Sequence, residues 1–78
     1  MTSRASILVT GGAGFVGSHF VRAARDAGSH VVVVDDLSAG SRPVLPVGVE
    51  LVEGDIADRA LVGGVIDRHR VTACAHFA

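Results

Sequence analysis

The stretch TGGAGFVG, residues 10–17, decides the fold of this 78-residue chain. Before it lies a short run of apolar and β-branched residues, 6–10, which is typical of a strand that is buried on both faces. After it, apolar residues recur at the spacing of one helical face, so we predict a helix over residues 15–27. Gly28 then occupies the position where helices commonly end in a left-handed residue. The inward face of this helix is predicted to consist of Val16, Phe20, Ala23, Ala24 and Ala27.

Three glycines of this stretch have separate steric roles. Gly11 lets the chain turn sharply out of the strand, Gly14 lets backbone approach a pyrophosphate, and Gly17 lets helix and strand pack closely. The helix start presents unpaired N–H groups, including those of Phe15 and Val16, and the positive end of its dipole to the anion. Plain turns and flavin or methyl-donor sites use similar spacings, but the strand before and the helix after favour a dinucleotide. A Walker phosphate loop is excluded, because it requires Gly-Lys-Ser/Thr and the chain contains no lysine.

The rest of the chain repeats the alternation of strand and helix. Four successive valines in the second strand imply cover on both faces, and hence a parallel sheet flanked by helices. The segment after it contains both prolines and is predicted to be mostly turn. The predicted spans are 30–35 (strand), 36–48 (turn), 49–53 (strand near a sheet edge), 59–69 (helix capped by Asp58) and 71–77 (strand). The inward residues of the second helix are predicted to be Leu61, Val62, Val65 and Ile66.

These elements predict an α/β fold, the N-terminal part of a Rossmann doubly wound parallel sheet with strand order 3-2-1-4. Such a sheet continues past its fourth strand, and its ligand crevice lies where the first and fourth strands diverge. We therefore expect residues 1–78 to form a partial NAD(P)-binding domain that is truncated after the fourth strand, with the catalytic and substrate-binding parts absent.

The acidic pair at the end of the second strand indicates which dinucleotide binds. Asp35 lies 18 residues after Gly17, where a carboxylate can accept hydrogen bonds from both ribose hydroxyls of the adenosine. The 2′-phosphate of NADP would meet the like charges of Asp35 and Asp36, a repulsion of about 1 kcal/mol even in water, so NAD is predicted. Asp36 is equally consistent with a solvated turn position. Arg42 is the nearest residue whose positive charge could reverse the preference for NAD over NADP.

Composition excludes several classes of function. The net charge of −1, with acids and bases interspersed, leaves no basic face for nucleic acid. The longest apolar runs, 7–9 and 31–34, are far shorter than the roughly 20 residues that span a bilayer, so we expect no membrane partner and a cytoplasmic protein. Cys74 is predicted to be a buried thiol, and with His76 it gives too few ligands for a metal site. His19 either packs at the helix start or neighbours the phosphates.

Four motifs in order carry a family resemblance: residues 10–19, 35–40, 53–56 and 76–78. With them the chain resembles, over all 78 residues, the extended short-chain dehydrogenase/reductase family, which comprises the NAD-dependent sugar-nucleotide epimerases and dehydratases. Within the family, the stretch DDLSAGSR from residue 35 and the terminal HFA are most similar to the UDP-hexose 4-epimerases.

The resemblance implies NAD as the cofactor, a nucleotide sugar as the substrate of the intact enzyme, and a homodimer. The resemblance assigns binding of the pyrophosphate to the loop and helix start, and binding of the adenosine ribose to residues 35–40. It assigns contact with the adenine to residues 55–56 and a further contact with the cofactor to residues 77–78. Asp55 is also consistent with a polar end to the third strand. The candidate cofactor-binding residues are Gly11, Gly14, Phe15, Val16, Gly17, Asp35, Asp36, Leu37, Ser38, Ala39, Gly40, Asp55, Ile56, Phe77 and Ala78.

The family's catalytic groups, a Tyr-x-x-x-Lys pair and a nearby Ser or Thr, lie on later elements, and this chain contains neither tyrosine nor lysine. In an epimerase the resemblance implies that the tyrosine removes the 4-hydroxyl proton while hydride passes from carbon 4 to NAD. The 4-keto sugar then turns over and regains hydride on its opposite face. We expect the 78 residues to be inactive by themselves.

Three other hypotheses stay open at this point. The intact protein could be a sugar-nucleotide 4,6-dehydratase or a decarboxylase of the same family. It could be a non-catalytic NAD-binding sensor module that acts on a protein partner. The 78-residue product could also lack a function, because its fourth strand is an unpaired edge prone to aggregation.

Overall fold

Within the residues that the structure describes, four short parallel strands and two helices form an α/β fold. The computed structural model describes residues 5–12, 14–37 and 45–77. The strands form one sheet in the order β3-β2-β1-β4, and every neighbouring pair is parallel. The predicted order 3-2-1-4 is therefore confirmed. The elements are β1 (Ser6–Thr10), α1 (Phe15–Asp26), β2 (His30–Asp35), β3 (Glu50–Glu53), α2 (Arg59–His69) and β4 (Ala73–His76).

The four valines of β2 form the centre of the core. Each is at most 1% exposed, which confirms that this strand is covered on both faces. Because side chains alternate across a strand, Val31 and Val33 pack on the side of α1, and Val32 and Val34 on the side of α2. The first cluster also contains Val9, Val21 and Ala24, and the second contains Leu8 and Val65.

The inward face of α1 differs from the prediction. Its buried residues are Gly17, Val21 and Ala24, at i, i+4 and i+7, with Phe20 partly buried beside them. Val16 is 64% exposed, and Ala23 and Ala27 are also exposed, so these three inward assignments were wrong. The helix is rotated so that Gly17, which has no side chain, faces the turn before it.

The end of α1 forms as the sequence predicts, one residue earlier than expected. The helix ends at Asp26 with Ala27 as its C-cap, and Gly28 follows with a left-handed φ of +93°. The N–H of Gly28 donates to the carbonyl of Arg25 (2.9 Å), and that of Ser29 donates to the carbonyl of Ala24 (3.1 Å). These two bonds satisfy helix-end carbonyls in the Schellman arrangement, which a glycine at Gly28 permits without strain.

Helix α2 has the predicted span and cap. The Asp58 side chain accepts a hydrogen bond from the N–H of Leu61 (3.1 Å). Val65 is buried and Leu61 and Val62 pack against its cluster, but Ile66 is 40% exposed, so its inward assignment was wrong. Ile66 follows Val65 by about 100° around the helix axis, which turns it away from the sheet. No helix in the described part of the chain is long and apolar enough to span a bilayer.

The edge strands are shorter than predicted. β3 begins at residue 50 and β4 covers only 73–76. Cys74 lies on β4 and is exposed, so the predicted buried thiol was wrong. The reason is that α2 packs over β1 and β2 through Val65, whereas β4 pairs only with β1 at the sheet edge. β3 is the opposite edge strand, as its alternation of acidic and apolar residues predicted.

Three polar side chains link β2, β3 and α2 at the amino ends of the strands. The Glu50 carboxylate accepts a hydrogen bond from Nε2 of His69 (3.0 Å). His69 Nδ1 lies 3.1 Å from Nε2 of His30, whose ring stacks on the His69 ring. The Ser6 hydroxyl donates to the carbonyl of His69 (2.8 Å) and attaches the end of α2 to β1. These contacts fix α2 at the edge of the sheet opposite to the glycine turn.

The backbone of α1 lies very close to the turn before it at Gly17. A Cβ added at Gly17 would lie 2.3 Å from the carbonyl oxygen of Gly11 and 2.8 Å from Cα of Gly12. Both atoms belong to the backbone, so no side-chain rotation could relieve the overlap. The predicted packing role of Gly17 is confirmed. A Cβ at Gly12 would itself meet side-chain carbons of Val33 and Val9 at 2.9–3.0 Å.

We expect Gly17→Ala to lower the free energy of unfolding by about 1–3 kcal/mol, because the added methyl forces α1 away from the turn. Gly63→Ala is the matched control, since no atom lies within 4 Å of a Cβ at that position in α2. Alanine is the better helix former, so the control should raise the free energy of unfolding by about 0.5–1 kcal/mol. Equilibrium urea unfolding of the 78-residue chain measures both. Equal stability of Gly17→Ala and wild type would contradict the packing role.

Candidate cofactor-binding site

An open pocket lies at the carboxyl ends of β1, β2 and β3. Its volume is about 230 Å³, including solvent at its mouth. In an open parallel sheet this edge is where ligands bind, because the loops that follow the strands converge there. The pocket is lined by Gly11, Val34, Asp35, Asp36, Gly54 and Ile56.

The turn that leaves β1 forms the first wall of this pocket. Gly11 has a left-handed φ of +69°, which confirms the predicted sharp turn and the requirement for glycine. The N–H of Gly11 donates to the carbonyl of Val34 (3.0 Å), so the turn stays hydrogen-bonded to β2 beyond the last residue of β1. The N–H of Gly14 donates back to the carbonyl of Gly11 (3.1 Å) and closes the turn.

The start of α1 follows directly and carries a positive partial charge. Gly14 is the N-cap and provides no side-chain cap, and the first turn of the helix contains no acidic residue. The first N–H groups of a helix have no intrahelical acceptor, so this end suits an anion. A Cβ at Gly14 would lie 3.5 Å from its nearest neighbour, the carbonyl oxygen of Gly11. Packing therefore tolerates a side chain there, and glycine instead keeps the approach to the helix start open.

Two apolar side chains border this approach. Phe15 is 82% exposed and Val16 is 64% exposed. The Phe15 ring meets the ring of His19 edge-on at 4.9 Å, so His19 packs at the helix start, one of the two positions considered for it.

Asp35 ends β2 and forms the second wall. Its backbone carbonyl accepts from the N–H of Gly54 (3.0 Å), which ties the loop after β3 to β2. Its carboxylate Oδ1 accepts from the N–H of Leu37 (2.8 Å). Leu37 has a left-handed φ of +60°, a conformation that a leucine rarely adopts. Asp36 also lines the pocket and is exposed.

The loop after β3 forms the third wall. Ile56 lines the pocket, with 37% of its surface exposed. Asp55 does not line it: its Oδ1 accepts from the N–H of Ala57 (2.8 Å) and its carbonyl accepts from the N–H of Asp58 (2.9 Å). Asp55 therefore shapes the loop that leads into α2 and places Ile56 at the pocket.

Phe77 follows β4, on the side of β1 opposite to β2. Its N–H donates to the carbonyl of Thr10 (2.8 Å), and its ring packs on Phe20 of α1 at 5.5 Å. The Thr10 hydroxyl and Nδ1 of His76 form a hydrogen bond beside it. Phe77 therefore lies at the carboxyl ends of β1 and β4, where a fold of this kind has its ligand crevice, and does not line the pocket at the ends of β1, β2 and β3.

The structure brings the predicted residues together at one edge of the sheet in two groups. Four of them line the pocket: Gly11, Asp35, Asp36 and Ile56. Those at the helix start and at the end of β4 follow the carboxyl ends of β1 and β4 at the same edge of the sheet. Ser38, Ala39, Gly40 and Ala78 lie outside the described residues.

Sequence reasoning missed Val34 and Gly54 as pocket-lining residues. A signal for Gly54 existed, since it follows a strand directly and precedes Asp55-Ile56. Within residues 5–12, 14–37 and 45–77, no three His, Cys, Asp or Glu side chains are grouped so as to hold a metal ion.

Comparisons with known proteins agree with this geometry. Residues 7–78 match the profile of the NAD dependent epimerase/dehydratase family. The chain is 54% identical over 72 residues to UDP-glucose 4-epimerase of Azospirillum brasilense, covering 92% of this chain and 21% of that protein.

Two solved structures superpose with a TM-score of 0.87. One is the Bordetella bronchiseptica enzyme WbmG in complex with NAD and UDP, at 35% identity over 97% of this chain and 25% of that chain. The other is Thermotoga maritima UDP-glucose 4-epimerase with UDP-glucose, at 40% identity over 94% of this chain and 24% of that chain. The chain spans between a fifth and a quarter of the length of these relatives. It belongs to the NAD dependent epimerase/dehydratase family.

Proposed function

We propose that this chain binds the adenosine diphosphate half of NAD and forms the cofactor-binding part of an enzyme similar to UDP-glucose 4-epimerase. The observation that carries the proposal is the pocket at the ends of β1, β2 and β3. It combines a glycine turn beside an uncapped helix start with an acidic residue at the end of the next strand.

The three walls of the pocket fit the three parts of this half of the cofactor. The turn at Gly11 and the start of α1 offer backbone N–H groups and a positive dipole to the pyrophosphate. Asp35 offers a carboxylate to the ribose hydroxyls, and Ile56 offers an apolar surface to the adenine. When bound, NAD supplies the hydride acceptor that the protein's own side chains lack.

The relatives favour an epimerase of UDP-sugars for the whole protein. The Azospirillum brasilense relative at 54% identity is a UDP-glucose 4-epimerase, and the Thermotoga maritima structure holds UDP-glucose. We infer that the intact enzyme interconverts UDP-glucose and UDP-galactose through a 4-keto intermediate. By the family resemblance we also propose a homodimer. From the charge and the short apolar runs of the sequence we propose a cytoplasmic protein without a nucleic-acid or membrane partner.

The catalytic groups and the nucleotide-sugar site are proposed to lie outside residues 1–78. The proposed chemistry needs a tyrosine whose pKa is lowered by neighbouring positive charge, and the chain contains neither tyrosine nor lysine. The contribution of these 78 residues is to hold and orient the cofactor.

We expect NAD to raise the melting temperature of the chain, because a ligand that binds only the folded state stabilises it. Asp35→Asn should weaken NAD binding by about tenfold or more, since a charge-assisted hydrogen bond contributes about 1.5–3 kcal/mol. The same change should narrow the preference for NAD over NADP, because it removes a charge that repels the 2′-phosphate. Calorimetric titration with each dinucleotide measures both effects.

Asp67→Asn is the matched control for that experiment. It makes the same chemical change on the exposed surface of α2, away from the pocket, and should leave both affinities as in wild type. Equal affinity of the wild-type chain for NAD and NADP would contradict the assignment of Asp35.

We expect the 78-residue chain to bind NAD without converting UDP-glucose to its 4-epimer, because the proton-transferring tyrosine is absent. Incubation with UDP-glucose and NAD, followed by NMR of the sugar anomeric protons, measures the conversion. Formation of UDP-galactose by the purified chain would show that the catalytic groups lie within these residues and would overturn their proposed placement.

A further inference from the structure

The loop that leaves β2 contains a leucine in a left-handed conformation. Leu37 has φ +60°, and apart from Arg70 it is the sole non-glycine residue with positive φ in the described ranges. In this conformation Cβ lies close to the following carbonyl oxygen, which disfavours it for residues with a side chain. Leucine has no polar side-chain atom that could compensate locally, as asparagine or aspartate does.

A hydrogen bond to Asp35 accompanies this conformation. The N–H of Leu37 donates to Oδ1 of Asp35 at 2.8 Å, and the bond is partly buried. Non-glycine residues persist in the left-handed region when the surrounding structure holds them there, and they concentrate at ligand sites. Leu37 lies two residues past Asp35, directly after the pocket-lining Asp36.

The backbone that carries the Asp35 carboxylate is fixed on both sides. The carbonyl of Val34 accepts from Gly11, and that of Asp35 accepts from Gly54, each at 3.0 Å. Asp35 is also in register with Glu53 of β3. The side-chain torsions of Asp35 then set where its carboxylate points, and the Leu37 N–H is one of the groups that hold it, through Oδ1.

We propose that Leu37 is a positioning residue for Asp35: its backbone N–H donates to Oδ1 and orients the carboxylate toward the pocket before the dinucleotide binds. This inference rests on the proposed function, because Asp35 is there the group that binds the adenosine ribose. A carboxylate that is already oriented loses less side-chain entropy on binding. The oriented carboxylate also keeps its negative charge where the 2′-phosphate of NADP would enter. Leu37 therefore contributes to the selectivity for NAD over NADP through Asp35.

Three substitutions separate the backbone effect from the side chain. Leu37→Gly keeps the N–H and adopts positive φ freely, and Leu37→Ala keeps the N–H with a small side chain. Leu37→Pro removes the N–H and fixes φ near −65°. The folded state of each is checked by circular dichroism, and the affinities for NAD and NADP are measured by calorimetric titration.

Leu37→Gly is the reference for the preference for NAD over NADP, because it lacks the leucine side chain but keeps the N–H. It should melt about 4 °C above Leu37→Ala, because glycine is unstrained there. Leu37→Pro should bind NAD at least tenfold more weakly than Leu37→Gly and lose most of the preference. A folded Leu37→Pro with the NAD affinity and preference of Leu37→Gly would overturn the positioning role. Failure of the wild-type chain to bind NAD would instead refute the proposed function.

A second measurement covers the case in which Leu37→Pro does not fold. In the isotope-labelled wild-type chain, NMR should show positive φ at Leu37 and an amide proton protected from exchange with water. In Asp35→Ala the same amide should lose its protection. An unprotected Leu37 amide in wild type, or protection unchanged in Asp35→Ala, would contradict the proposed hydrogen bond.

Discussion

The contact between Gly17 and the carbonyl of Gly11 constrains the rest of the structure. It presses the first turn of α1 onto the turn that leaves β1, with no room for even one methyl group. The rotation of α1 follows from it, and so does the burial of Val21 and Ala24 against the sheet. The same contact directs the start of the helix toward the carboxyl edge of the sheet. One contact therefore both packs the helix on the turn and orients the end of the helix that suits an anion.

The fold was largely predictable because its signals are local and steric. The glycine spacing, four successive valines, the Asp58 cap and Gly28 each specify one backbone feature, and each formed as expected. The errors concern which way side chains face. The wrong assignments are the inward face of α1, Ile66 and Cys74. Whether these side chains are buried depends on how far each helix extends over the sheet, and the local periodicity of the sequence does not predict that distance.

The candidate site was predictable in its parts and less so in its geometry. The sequence indicated Gly11, Asp35 and Ile56, which line one pocket. It assigned Phe77 to the same cofactor from the fourth strand, and Phe77 lies across β1 from the pocket, because strand order and not sequence order decides which loops meet. The left-handed backbone at Leu37 carries no sequence signal, since leucine is not a residue that favours positive φ.

The two hydrogen bonds from Gly11 to Val34 and from Gly54 to Asp35 let β2 set the distance between the two loops beside the pocket. Both loops that flank the pocket are attached to consecutive carbonyl groups of one buried strand, so they are held about two strand spacings apart, roughly 10 Å. Neither loop can move relative to the other without breaking the sheet. Side chains around the pocket can therefore change while the backbone distance between its two walls stays constant.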